Sequence, residues 1–292
     1  MGIREEFRLK KLWCNELRTE RFCVFQWRSP GIFFLVYRIA VAAYTLTWLI
    51  KTAIESKLPD DVSVTWGSFL TNWTYTLLTI YFLLHALIAL VVYLLCRGSG
   101  LQLMRRLAPE QHRYLFHELG NAYEGFPQDP EERTPLTSSD DVHFELGNRV
   151  PWYFALLWVI FNAVSVSAIM VTIVFWCILF PGSGLHFDME NVQLHLVNSV
   201  LVLLEHAVTA LPVRILHVIY PIIYGLIYMA FSLFYWVDDH SHVMYPILDW
   251  GKPGPTVGYV LLVGFVIMPI IQLLIYGFYR LRLAIYRRVS QN

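Results

Sequence analysis

Six apolar stretches, each long enough to cross a membrane, dominate this sequence of 292 residues. The hydrocarbon core of a bilayer is about 30 Å thick, so a crossing helix needs about 20 apolar residues. Helices are expected because backbone polar groups in lipid must be hydrogen-bonded within their own segment. The sequence therefore predicts an all-α polytopic membrane protein, a bundle of six transmembrane helices near residues 31–50, 73–96, 152–180, 191–211, 215–237 and 256–279.

The composition agrees with this class of protein. Hydrophobic residues make up 57% of the chain and charged residues only 15%, whereas soluble domains carry about a quarter charged residues. The formal net charge is zero, which argues against nucleic acid as a partner. We expect an integral protein of the plasma membrane or an endomembrane, with membrane lipid as its partner or substrate.

The positions of Lys and Arg predict the orientation, because cytoplasmic loops are enriched in both. Of the 22 Lys and Arg residues, 18 fall before the first stretch, in loop 97–150, between the fourth and fifth stretches, or from Arg280 onward. Three fall in the connections between the first and second stretches and between the fifth and sixth. Both termini are therefore predicted to be cytosolic. The chain divides into a cytosolic N-terminal tail (1–30), a transmembrane domain (31–280) with cytosolic loop 97–150, and a cytosolic C-terminal tail (281–292).

Polar residues from separate helix ends are predicted to meet at the exoplasmic face. "GSFLTNWT" (67–74) opens the second stretch, "GLHFDMENVQLHLVNS" (184–199) leads into the fourth, and "WVDDHSHVMYP" (236–246) ends the fifth. Such clusters are solvated loop or the lip of a site. We predict a lip.

One face of the fourth stretch is polar along its length. His195, Asn198, Ser199, Val202, Glu205 and His206 fall on a single helical stripe. Glu205 lies about 15 Å below His195 at 1.5 Å per residue, within the hydrocarbon, where an ionisable group indicates function. Alternatively, Glu205 is neutral or pairs with Arg38 or His206 and stabilises helix packing.

Several segments resemble the rolling stone family of six-span proteins, named for a role in myoblast fusion. The resemblance rests on "FCVFQWRSP" (22–30), "LVYRIA" (35–40), "FLTNWTYTLLTIYFLLH" (69–85), "HLVNSVLVLLEHAV" (195–208) and "YPILDWGKPG" (245–254). It implies a role in cell–cell fusion.

More distantly, the layout resembles the androgen-induced protein family of intramembrane threonine hydrolases, which cleave fatty acid esters of hydroxy fatty acids. The resemblance assigns the Thr nucleophile to Thr71 in "FLT" and its His partner to His195, between Asn191 and Glu205, and it matches the Tyr245-Pro246 pair. The cluster from Asp238 to His242 is richer in metal ligands than that pattern.

Two chemistries for lipid ester or amide hydrolysis follow. In the first, His195 removes the proton of the Thr71 hydroxyl, and Asn198 or Asp239 orients the imidazole. The ordinary alternative for Thr71 is a hydrogen bond to its own helix backbone.

In the second chemistry, His195, His240 and His242 bind a zinc ion that activates water, with Asp238 or Asp239 orienting a ligand or acting as general base. No HExxH pattern accompanies these residues, and the ordinary alternative for His240 and His242 is a solvated loop.

A third hypothesis is a non-enzymatic membrane protein that acts in cell fusion or as a scaffold. Loop 97–150 contains the Pro-rich, acidic segment "FPQDPEERTPLTSSDD" (126–141), which is typical of disordered docking segments.

The predicted topology can be tested by cysteine labelling in a variant whose native cysteines are replaced by serine. An impermeant maleimide added to intact cells should label a cysteine at position 58 but not one at position 130, provided that the protein is at the cell surface. Permeabilised cells serve as the control, since both positions should then react. Labelling at 130 but not at 58 before permeabilisation would reverse the orientation.

Overall fold

The computed structural model describes residues 6–14, 19–27, 29–55, 64–95, 150–181 and 187–290. Loop 97–150 lies outside these ranges except for Val150. Within the described ranges the regular structure is helical apart from a single β-bridge. The predicted all-α class is therefore confirmed.

Six long helices follow the six predicted stretches in order. By length and composition, all of them except α4 qualify as membrane-crossing helices among the described residues. Helix α4 consists of consecutive segments of 4, 5 and 11 residues, which together reach about 30 Å. The bounds are α1, Gly31–Glu55; α2, Leu70–Leu95; α3, Trp152–Leu179; α4, Met189–Val192, Gln193–Val197 and Asn198–Val208; α5, Ile215–Asp238; and α6, Pro253–Leu262, Val263–Ile267 and Met268–Ser290.

Helix α3 forms the centre of the bundle. It packs against α2, α4, α5 and α6, and 72% of its most apolar window is buried, against 39% or less in the other four apolar helices. A helix that is apolar around its whole circumference is expected to be surrounded by protein or lipid. In this fold α3 is the helix against which four of the other five are positioned, while α1 packs on α2.

Helix α6 is longer than predicted and is irregular in its first half. Pro269 has no N–H, and a proline ring clashes with the carbonyl of the preceding turn. The widened π turn Val263–Ile267 lies directly before it, as expected where a helix adapts to a proline. The helix then continues to Ser290, so the segment predicted as a tail from 281 is an extension of α6 through most of its length.

The chain before α1 packs into one end of the bundle, which we call the basal end. Phe22 and Cys23 are fully buried, and Phe25 forms an antiparallel β-bridge with Thr209 just after α4. The Gln26 N–H donates to the Val208 carbonyl at 2.9 Å. The predicted N-terminal tail (1–30) is therefore docked from Phe22 to Gln26, because its apolar side chains are buried on folding.

Cationic and indole donors bind the free carbonyl groups at the C-terminal end of α4. Arg282 of α6 donates to the carbonyls of His206, Thr209 and Leu211, and Trp27 donates to Ala207 at 2.8 Å. The last carbonyls of a helix have no intrahelical partner and carry partial negative charge. These contacts join the N-terminal segment, α4 and α6 at the basal end.

An ion pair with no exposed side-chain surface connects α1 with α4. Arg38 Nη1 donates to Glu205 Oε1 at 2.6 Å, and both side chains are 0% exposed. The hydroxyl of Tyr81 donates to the same oxygen at 2.5 Å, and that of Tyr37 donates to Oε2 at 2.9 Å. Of the alternatives for Glu205, the structure therefore shows pairing with Arg38.

The network continues from Tyr81 to the N-terminal segment. His85 Nδ1 lies 3.0 Å from the Tyr81 hydroxyl, and His85 Nε2 lies 2.6 Å from the Phe22 carbonyl oxygen. Because a carbonyl only accepts, Nε2 carries a proton and donates to Phe22. One connected set of polar groups thus joins α1, α2, α4 and the docked N-terminal segment.

We predict that the ion pair is critical for stability when one partner is removed. Arg38→Met should lower the free energy of unfolding by about 3–5 kcal/mol, because it leaves the buried Glu205 carboxylate without its countercharge. The double variant Arg38→Met/Glu205→Leu should recover much of the loss, since neither charge remains. Thermal melts in detergent provide the measurement.

Glu55→Gln serves as the matched control, because Glu55 pairs with Lys51 at 3.9 Å in an exposed position, where ion pairs contribute little. A double variant that is less stable than both singles would contradict the explanation.

Candidate functional site

The end of the bundle opposite the basal end contains an apolar cavity of about 150 Å³, and we call this end the cavity end. Side chains from α2 to α6 and from the segment after α5 line the cavity. Among its lining residues, the polar groups are contributed by Thr71, His195, Tyr228, Tyr245 and Tyr259. A small number of polar groups in an apolar cavity is typical of ligand sites.

Three π turns surround this cavity. They are Phe175–Leu179 at the end of α3, Gln193–Val197 in α4 and Val263–Ile267 in α6. Each contributes at least one lining side chain, namely Phe175, His195 and Val263. π turns are rare and occur frequently at functional sites. Their grouping here distinguishes the cavity end from the rest of the described bundle.

His195 lies in the π turn of α4, and its ring is buried. The ring stacks flat on Phe175, with 3.5 Å between centroids and 3° between planes. Its Nδ1 is buried without a hydrogen-bond partner. A buried polar atom without a partner is costly and calls for a reason. An imidazole held in one orientation with an unpartnered nitrogen is available to a polar atom of a ligand.

Thr71 is the second residue of α2 and is 6% exposed. It lines the same cavity as His195. The two residues therefore share one compartment, and the predicted proton transfer between them stays a prediction. Among the described contacts, the Thr71 hydroxyl makes no hydrogen bond to the backbone of its own helix. The hydroxyls of Thr45 and Thr79 both make such bonds.

Tyr245 is a site residue to which sequence reasoning gave no role. It lies between α5 and α6, lines the cavity and interacts with the Thr71 side chain. Burial raises the pKa of the Tyr245 phenol above its ordinary value, so the hydroxyl remains a donor at neutral pH. The only sequence signal was the Tyr-Pro pair, because one tyrosine of 17 carries no distinguishing pattern.

A larger compartment of about 1370 Å³, which we call the vestibule, adjoins the apolar cavity and has a more polar lining. The two share Thr71, Phe175, Leu179, His195, Tyr245 and Ile247. The vestibule adds charged and indole side chains from α1, α4 and the turn before α2. Thr71, His195 and Tyr245 therefore lie where an apolar compartment meets a more polar one.

Asn198 and Asp239 do not line either compartment. Asn198 is fully buried, and its amide nitrogen lies 3.5 Å from the Leu194 carbonyl. Asp239 is exposed and accepts a hydrogen bond from the Ser241 N–H at 2.8 Å, which lowers the pKa of its carboxyl. The structure thus places neither residue in contact with His195. No described contact supports their predicted roles in orienting the imidazole.

His240 and His242 pack on aromatic rings of α5. His242 stacks on Tyr235 at 4.2 Å and donates from Nδ1 to the Tyr235 carbonyl at 3.0 Å. His240 contacts Trp236 edge-on. Within the described ranges, no group of three or more His, Cys, Asp or Glu side chains is arranged to hold a metal ion. His195, His240 and His242 are therefore not gathered as one ligand set, and zinc binding stays a prediction.

The predicted stripe of α4 is confirmed as a buried face. His195, Asn198, Ser199, Val202, Glu205 and His206 are all buried. Ser199 donates to the Ala168 carbonyl at 3.0 Å, and His206 lies 3.2 Å from the Ser165 hydroxyl. Most of the stripe thus packs α4 against α3, and only its first member lines the cavity.

Comparison with known proteins connects this fold to a family. Residues 146–291 match the family model described as "Protein rolling stone", which covers α3 to α6. The chain belongs to the rolling stone family. It is 24% identical over 275 residues to Protein rolling stone of Drosophila melanogaster, an alignment that covers 91% of this chain and 84% of the fly protein. No solved structure matches the chain.

Membership in the rolling stone family agrees with an integral membrane protein. The matched region includes His195 and Tyr245, whereas Thr71 lies before it. The alignment with the fly protein extends over most of the chain, so the resemblance seen in the sequence is confirmed at the level of the family.

Proposed function

We propose that this rolling stone family member is a membrane-embedded hydrolase. It cleaves an acyl ester or amide at the exoplasmic face, with Thr71 as the nucleophile and His195 as the general base. The observation that carries the proposal is the position of Thr71, His195 and Tyr245 at the junction of the apolar cavity and the more polar vestibule. A lipid ester has its reactive carbonyl at the corresponding boundary between acyl chain and head group.

A route from the membrane supports a lipid as the substrate. Leu226 of α5 and Phe265 of α6 line the cavity, and they are 58% and 69% exposed on the outer surface of the bundle. Apolar side chains on that surface face acyl chains. An acyl chain can therefore pass between α5 and α6 without leaving an apolar environment.

The reaction proceeds in two steps. His195 accepts the Thr71 hydroxyl proton while Oγ1 attacks the ester carbonyl, and His195 then returns the proton to the departing alcohol, leaving an acyl-threonine. Water, deprotonated by His195, attacks this ester, the fatty acid departs, and the proton returns to Thr71. The Tyr245 phenol donates to the oxyanion in both steps, the role that such donors have in acyl transfer.

Two alternatives differ from this threonine mechanism. In the zinc alternative, His195, His240 and His242 would have to come together to hold an ion, which would supply an activated water in place of the Thr71 nucleophile, and zinc measured in purified protein decides between the two. In the non-enzymatic alternative, the protein acts in cell fusion or as a scaffold, and the cavity holds a lipid without cleaving it.

We predict that purified protein in detergent cleaves 4-methylumbelliferyl octanoate and that both Thr71→Ala and His195→Ala lower kcat/KM by about 10²–10⁴, the contribution typical of positioned base catalysis. Tyr245→Phe should lower kcat with little change in KM. Fluorescence of the released coumarin measures the rate.

Two matched controls should keep full activity. Thr47 is exposed on α1 and bonds its own helix, and His240 lies outside both compartments, so Thr47→Ala and His240→Ala test for unspecific effects. A rate that survives Thr71→Ala but is lost with a chelator would select the zinc mechanism. If the wild type cleaves neither ester nor amide probes faster than the His195→Ala variant does, the non-enzymatic alternative is favoured.

A further inference from the structure

Negative charge predominates among the described residues that line the vestibule. Glu55, Asp188 and Glu190 contribute three carboxylates, and Lys51 contributes one ammonium group. Lys51 pairs with Glu55 at 3.9 Å, while Glu190 interacts electrostatically with Asp188, Glu55 and Lys51. Three carboxylates and one ammonium group thus line the same compartment.

Aromatic faces accompany these carboxylates. Trp48 and Trp66 line the vestibule, and indole is the strongest ring partner for a cation. The ammonium group of Lys51 lies 4.7 Å from the centre of the Trp48 ring. The vestibule therefore already contains one ammonium group on an indole face beside a carboxylate.

Two buried polar side chains that line this compartment each have one polar atom without a hydrogen-bond partner, although the Asn72 amide nitrogen donates to the Trp66 carbonyl at 2.6 Å. Asn72 is 6% exposed, its Oδ1 has no hydrogen bond, and it lines the vestibule. His195 is 9% exposed, and its Nδ1 likewise has no partner. Buried polar atoms are normally hydrogen-bonded, so these two indicate that the compartment is shaped for a ligand with polar atoms.

We propose that the vestibule binds the positively charged ammonium head group of an acyl ester, with the carboxylates of Asp188 and Glu190 and the indoles of Trp48 and Trp66 around the charge. This inference rests on the proposed hydrolase function, and it specifies the substrate class. The ester then lies beside Thr71 and His195, and the acyl chain enters the apolar cavity.

The size of the apolar cavity limits the acyl part. A cavity of about 150 Å³ is known to hold a benzene-sized group, and the apolar cavity has about that volume. It therefore takes the first segment of one acyl chain, with the remainder between α5 and α6. A lipid with a single acyl chain fits this arrangement better than one with two.

The test uses octanoylcholine and its neutral isostere 3,3-dimethylbutyl octanoate. The two differ only at the centre of the head group, where octanoylcholine has a charged nitrogen and the isostere has a carbon. Isothermal titration with the non-cleaving Thr71→Ala variant should give a Kd about tenfold lower for octanoylcholine, as expected for a charge recognised by carboxylates and indoles. Adding Asp188→Asn and Glu190→Gln should reduce this preference to less than threefold while leaving the isostere's Kd unchanged. Asn at 188 keeps the helix N-cap that Asp188 now provides by accepting from the Asn191 N–H.

Two further variants separate recognition from stability. Lys51→Met removes the competing cation from the Trp48 face, so the preference for octanoylcholine should increase, a direction that mere destabilisation does not produce. Asp239→Asn removes a carboxylate outside the vestibule and should leave the preference unchanged.

The outcomes separate this inference from the hydrolase proposal. Equal Kd values for the two esters, together with equal kcat/KM in the wild type, overturn ammonium recognition and leave the hydrolase standing. Preferential binding of octanoylcholine without any cleavage supports the vestibule site and overturns the hydrolase. Absence of both preference and cleavage overturns both.

Discussion

The ion pair between Arg38 and Glu205 is the interaction on which the rest of the bundle depends. Each charge would cost several kcal/mol to bury alone, and neither side chain has exposed surface. The pair is therefore stable only when α1, α2 and α4 are assembled together, because Tyr37 and Tyr81 donate to the same carboxylate. Helix α4 is thus held in position near its basal end, and its orientation determines where His195 lies ten residues earlier.

The cavity end is built differently from the basal end. At the basal end, arginine and indole donors bind the last carbonyls of α4 and join it to α6 and the docked N-terminal segment. At the cavity end, three π turns widen α3, α4 and α6 around one space. A bundle held firmly at one end can tolerate irregular helices at the other, and this arrangement leaves room for a ligand beside Thr71, His195 and Tyr245.

Part of the candidate site could be predicted from the sequence and part could not. Thr71 and His195 were predicted together, and both line the cavity. Asn198 follows His195 by three residues and would share its face in a regular helix, but His195 lies within the π turn Gln193–Val197, which changes that offset. Asp239 was assigned from its neighbourhood of histidines, yet its carboxylate binds the Ser241 N–H in its own loop. Tyr245 was missed because its role depends on a contact with Thr71 that no sequence pattern encodes.

The sequence by itself determined the all-α membrane class, the order and approximate bounds of the six helices, and the buried stripe of α4. These follow from apolar length and helical periodicity, which are properties of contiguous residues. Only the tertiary structure decided that Glu205 pairs with Arg38 rather than His206, that the segment Phe22–Gln26 is docked rather than free, and that His195 lines a cavity with Thr71 but not with His240 or His242. Each of these depends on the distance between residues far apart in the chain, and that distance is set by how the helices pack around α3.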